Sequence, residues 1–162
     1  MKNLPVKRNS FLPLSLGALM SGMTVYAAGD WAMPKKVEEV MSGVQDTADV
    51  TWWGFDAEDS TRFLQAAFDS PARKVMVPAT GTPWITEPLV ITRDHLEVEF
   101  AQGAVLEAKK GAFRGRNDVM LRIWDRKQIV LTGYGATLRM HKRDYWQPPY
   151  TRSEWRHILD IR

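Results

Sequence analysis

The residues best equipped for chemistry stand together in one stretch, residues 142–157, KRDYWQPPYTRSEWRH. Tyr145, Trp146, Tyr150 and Trp155 are interleaved there with Asp144, Arg152, Glu154 and Arg156. Aromatic faces stack on sugar rings, and guanidinium forks grip carboxylate or sulfate in two-point contacts. The pattern predicts an acidic-glycan site, with Tyr150, Arg152, Trp155 and Arg156 as its substrate-binding residues. A second reading fits the same composition. The stretch is then a loop pinned to the body of the protein by its own aromatics, with Glu154 paired to Arg152 or Arg156. Pro148-Pro149 makes it a loop or extended arm rather than a strand.

Catalytic groups are scarcer. Glycoside hydrolysis needs two carboxyls facing one bond. Asp144 and Glu154 are the only loop carboxyls close in sequence, and the sequence alone does not bring them together. A nucleophile elbow, an H-E-x-x-H pair and a phosphate-loop lysine are all absent. His95, His141 and His157 are scattered. His95 sits beside Asp94 in a turn, and His157 begins a strand, so no metal site is expected of them. The chain has no cysteine, which excludes a disulfide framework and a thiolate metal site. Catalytic residues remain unassigned.

The elements that must position such a loop are short. Residues 96–100 (LEVEF) alternate strictly, with Leu96, Val98 and Phe100 on one side and Glu97 and Glu99 on the other. A corner at 101–103 and a second strand at 104–108 follow. The unit returns at 129–140, where Ile129 and Leu131 take the inward places, Tyr134-Gly135 the corner, and Ala136, Leu138 and Met140 the second strand. The offset is 33 residues before the corner and 32 after it. Such recurrence marks a stack of coils. Residues 56–70 (DAEDSTRFLQAAFDS) are the clearest helix, capped by Asp56 or Asp59, with Phe63, Leu64 and Phe68 as its buried face. It suits the open end of a strand stack. Pro34 to Gly43 bracket a short helix, residues 50–55 read as an aromatic strand, and short strands are expected at 74–77, 84–85 and 89–91.

The 162-residue chain carries 22 Lys+Arg and 19 Asp+Glu. Residues 1–27 read as a secretory signal peptide. Lys2, Lys7 and Arg8 precede an apolar run at 11–25, and Val25-Tyr26-Ala27 fits cleavage before Ala28. The run is shorter than the ~20 apolar residues of a membrane span. Without this leader the charges balance at 19 each, so basicity is no reason to expect nucleic acid. The balance hides a polarity. Residues 28–108 hold six basic and fourteen acidic groups, residues 109–162 thirteen basic and five acidic. Either the halves neutralise each other, or the basic half steers an anionic ligand.

The order WGFDAEDSTRFLQAAFDS, KVMVPATGTPWI, LEVEFAQGAVL resembles the start of the pectate lyase-like family of right-handed parallel β-helix proteins. The matching features are Thr61 with Gln65-Ala66-Ala67, the Val-x-Val-Pro strand at Val75 to Pro78, and Gly-Ala-x-Leu turns at Gly103 to Leu106 and Gly135 to Leu138. The resemblance covers about residues 52–140. Two features depart from it: Glu58-Asp59 replaces an aspartate pair, and the loop at 110–118 is long. It implies an all-β, right-handed parallel β-helix (a solenoid) with an N-terminal capping α-helix. It also implies a secreted or periplasmic protein acting on polysaccharide, acidic ones included, as lyase or glycoside hydrolase. The rival class is a non-catalytic adhesin or glycan-binding surface protein. Calcium enters only through the resemblance. The expected organisation is a leader at 1–27, an arm at 28–51, and a cap with first coils at 52–162 that continues past Arg162. The expected partners are glycan alone, with no nucleic acid, no membrane after cleavage, and a monomeric state.

Overall fold

A computed structural model describes residues 31–162. The expected leader and the first residues of the arm lie outside the described residues. In chain order the elements are α1 (Pro34–Met41), β1 (Thr47–Asp49), α2 (Thr61–Asp69), β2 (Lys74–Val77), β3 (Trp84–Thr86), β4 (Leu89–Ile91) and β5 (Leu96–Phe100). Then come β6 (Val105–Ala108), β7 (Leu121–Ile123), β8 (Ile129–Thr132), β9 (Thr137–Arg139) and β10 (Leu159–Ile161). The structure is mostly parallel strands with few helices. Every pairing is parallel, in three sheets ordered β1-β2-β5-β8, β3-β6-β9 and β4-β7-β10. From β2 onward the chain visits the three sheets in rotation, three times over.

Alternation in the sequence becomes alternation of burial. Leu96, Val98 and Phe100 are buried, while Glu97 and Glu99 face outward and clasp Lys74 Nζ at 2.8 and 2.6 Å. The register pairs Leu96 with Ile129, Val98 with Leu131 and Leu106 with Leu138, at the offsets read from the sequence. The preceding circuit is shorter. Val75 pairs with Val98 and Trp84 with Leu106, 23 and 22 residues apart. The basic circuit therefore needs 22–23 residues, and the extra ten belong to the loop between β6 and β7. Leu96, Val98 and Leu106 share one core with Trp84, Phe68 and Phe113, and Ile129, Leu131 and Leu138 pack half-buried against it. Gly103 and Gly135 stack at equivalent corners, with φ of 80° and 75°. Gly103 N donates to Gly135 O at 3.0 Å. An L side chain there would be forced into the left-handed region.

Three local expectations need correction. The main helix begins at Thr61, not at 56. Asp56 Oδ1 accepts from Glu58 N, and Asp59 Oδ1 accepts from the Thr61 amide and hydroxyl. These side chains bond nearby backbone in turn geometry and so compete with the helix over 56–60. Phe63 is half-buried, lying on the face of Gly54, whereas Leu64, Ala67 and Phe68 fill the core. Residues 50–55 are not a strand. The strand is β1, one step earlier, and Val50–Trp52 is a 3-10 turn because Asp49 accepts from the Thr51 amide at 2.8 Å and its hydroxyl at 2.6 Å. The short helix α1 forms where Pro34 and Gly43 place it.

Helix α2 closes an edge. The Gln65 amide donates to Val90 O at 2.8 Å and accepts from Val90 N at 3.0 Å, as a neighbouring strand would. Thr61 Oγ1 accepts from Glu87 N at 2.8 Å, and Asp69 accepts from the Thr92 hydroxyl at 2.7 Å. The free edge of β4 is thereby occupied. No helix among the described residues is long and apolar enough to cross a membrane.

Candidate functional site

Two long loops leave the body at the same corner. One joins β6 to β7 (residues 109–120); the other joins β9 to β10 (residues 140–158). The first is anchored by Phe113, Val119 and Met120, all buried. The second is laid upon it. Gly111 N donates to Tyr150 Oη at 2.6 Å, Thr151 N to Arg114 O at 3.1 Å, and Ser153 Oγ to Arg116 O at 2.5 Å. Tyr145 is buried and meets Tyr150 edge-on, with centroids 5.0 Å apart. Burial pushes the Tyr145 phenol above its ordinary value. The Arg156 guanidinium lies 4.6 Å over the Tyr145 ring and donates to Gly115 O at 2.7 Å and Thr151 O at 2.9 Å.

The four residues expected to bind substrate therefore divide. Tyr150 and Arg156 are half-buried and engaged in holding one loop on the other. Arg152 and Trp155 point to solvent, and Trp155 is 68% exposed. They line a cleft of about 420 Å³ with Arg116, Trp146, Ser153 and Glu154. The Arg116 and Arg152 side chains have no hydrogen-bond or ion-pair partner among the described residues. Glu154 lies in this cleft and Asp144 does not, so the two loop carboxyls are not brought together.

Trp155 also walls a second cleft of about 420 Å³ with Asn117, His157, Asp160 and Arg162. Here the guanidinium is paired: Arg162 Nε stands 3.1 Å from Asp160 Oδ1. Two guanidiniums lie against the Trp124 ring, Arg122 at 4.4 Å and Arg162 at 4.5 Å from its centroid. A larger cavity of about 900 Å³ has an apolar floor of Leu138, Met140, Ile158 and Leu159. Its rim is polar, formed by Lys142, Ser153, Glu154, Arg156 and His157 of the second loop. The histidines stay apart. His95 occupies a left-handed corner, His141 Nε2 lies 2.8 Å from Ala108 O and 3.4 Å from Glu107, and His157 meets Trp155 edge-on. Among the described residues no group of three or more His, Asp or Glu converges to hold a metal ion.

Arg116 and Asn117 escaped the sequence reading. Their only signal was their place in an unusually long, basic loop. No family model, curated protein or solved structure matches this chain.

Proposed function

We propose that this chain forms the cap and first coils of a right-handed parallel β-helix, secreted or periplasmic, that acts on polysaccharide as a lyase or glycoside hydrolase. One observation carries the reading. Two stacked loops use Tyr145, Tyr150 and Arg156 to make a rigid platform, and that platform presents Trp146, Trp155, Arg116 and Arg152 to solvent. Exposed large aromatics beside unpaired guanidiniums are poorly explained by packing and well explained by a flat, anionic ligand. The threefold rotation among parallel sheets supports the β-helix.

Arg152→Ala and Trp155→Ala test the reading, each made in the full chain, with glycan binding and unfolding measured on the same preparations. Lost binding with unchanged stability supports a glycan site; lost stability with unchanged binding makes the loop a packing element. A non-catalytic glycan-binding protein is the second reading, favoured by the single carboxyl, Glu154, in the Arg152 cleft. Release of reducing ends or of unsaturated sugars from a bound glycan separates enzyme from binder.

A further inference from the structure

The cleft that presents Arg152 and Trp155 is assembled from two loops, and one hydroxyl joins its parts. Ser153 Oγ donates to Arg116 O at 2.5 Å and accepts from Trp155 N at 3.0 Å. A serine hydroxyl has one proton to give and two lone pairs to receive with, so this one works in both directions. It reaches 37 residues back along the chain to the first loop, while Arg152 is its direct neighbour on the second. Three residues of the cleft, Arg116, Arg152 and Trp155, are therefore set relative to one another through a single side chain. The other anchors between the loops lie elsewhere. Tyr150, Thr151 and Arg156 fasten to Gly111, Arg114 and Gly115, and none of these three bonds holds Arg116 or Trp155. The Trp155 ring is 68% exposed and meets His157 edge-on, with centroids 6.5 Å apart. Packing does little to hold it, so the placement of its backbone governs where the ring stands.

We propose that Ser153 is a positioning residue of the glycan site, its hydroxyl fixing the Trp155 face beside Arg116 and Arg152 before the ligand arrives. This rests on the polysaccharide reading above and adds to it a residue that acts through its neighbours and not by its own contact with the sugar. An exposed indole and two unpaired guanidiniums have many rotamers, and a ligand that must order them loses affinity to that cost. Holding the backbones from which they project removes part of the cost in advance. The plain alternative is that Ser153 only fastens one loop to the other, as Tyr150 and Arg156 do.

The test is a double-mutant cycle in the full chain, read by urea unfolding and by calorimetric titration. The probe is a uronate hexasaccharide or a sulfated one, whichever the wild-type protein binds more tightly. Ser153→Ala is expected to weaken binding about fivefold or more with the unfolding midpoint unchanged, because the Tyr150 and Arg156 anchors remain. Ser153→Thr keeps the hydroxyl and should restore binding. In a Trp155→Ala background Ser153→Ala should lose most of its effect, since the ring it positions is gone. The indole N–H resonance of Trp155, assigned by its disappearance in Trp155→Ala, should show greater nanosecond mobility in Ser153→Ala than in the wild type. Unchanged binding by Ser153→Ala overturns the positioning role and leaves the polysaccharide reading intact. So does an equal loss of binding with and without the Trp155 ring, or a fall in the unfolding midpoint that Ser153→Thr does not restore; either makes Ser153 a fastener alone. No binding of either hexasaccharide by folded wild-type protein overturns both.

Discussion

Arg152 and Arg156 are four residues apart in one loop, yet only Arg156 is tied to the protein, through Gly115, Thr151 and the Tyr145 ring. Truncating Arg156 leaves two carbonyls short of a charged donor, so Arg156→Ala should cost ~1.5–3 kcal/mol in urea unfolding. Arg152→Ala removes no hydrogen bond or ion pair and should stay within ~0.5 kcal/mol. Nothing in the local sequence separates the two. The distinction depends on a carbonyl 41 residues away on the other loop. That is why the sequence could single out this loop but could not tell its solvent-facing arginine from its anchor. Lys74 carries a different residue-scale prediction. Hydrogen bonds and charge from Glu97 and Glu99 raise its pKa above that of an ordinary lysine. A raised pKa adds stability in full below the unfolded value of ~10.4 and loses it as pH climbs through the folded value. The stability gap between wild type and Lys74→Met should therefore hold steady from about pH 6 to 9 and shrink above about pH 10.5. A gap growing with alkalinity would contradict the pairing. The gap itself should be modest, because the ion pair is more than a third exposed.

Helix α2 works as a strand. Its packing face buries Leu64, Ala67 and Phe68, and its Gln65 side chain pairs with both polar groups of Val90. Gln65→Ala strips two hydrogen bonds from a half-exposed edge and should cost ~1–3 kcal/mol. It should also raise self-association, because β4 then offers an unpaired edge. Gln65→Glu keeps the acceptor but sets a carboxylate oxygen against Val90 O and the Asp69 carboxylate, so at neutral pH it should cost at least as much as Gln65→Ala. Light scattering beside the denaturation curve checks both. The helix was legible from its apolar spacing and its Gln-Ala-Ala run; its first turn was not. Asp56 and Asp59 look like caps in sequence, but each bonds residues two or three ahead and keeps 56–60 in turns. The strand ladder was easier to read. Leu96, Val98 and Leu106 alternate against charged neighbours, and a one-residue slip would turn Glu97 and Glu99 into the core.

Across the whole molecule the charge polarity of the sequence is partly cancelled by contact. Lys109 bridges Asp59 at 2.6 Å and Glu87 at 3.0 Å, Arg139 pairs with Glu107, and Arg126 approaches Asp94 at 3.8 Å. Each joins a cation of residues 109–162 to an anion of residues 28–108, so these cations contribute little to an outward field. Two of the cations left over, Arg116 and Arg152, face one cleft. The proposed steering of an anionic glycan therefore belongs to this pair of arginines. Association with an anionic glycan should slow as salt rises, since the Debye length falls from ~10 Å at 0.1 M to ~3 Å at 1 M. Arg116→Gln with Arg152→Gln should remove most of that salt dependence in stopped-flow measurements. Lys109→Gln and Arg139→Gln should leave it in place, because their charges are already matched inside the protein. If all four substitutions flatten the salt dependence equally, the field belongs to the basic half as a whole and this pair has no privileged role.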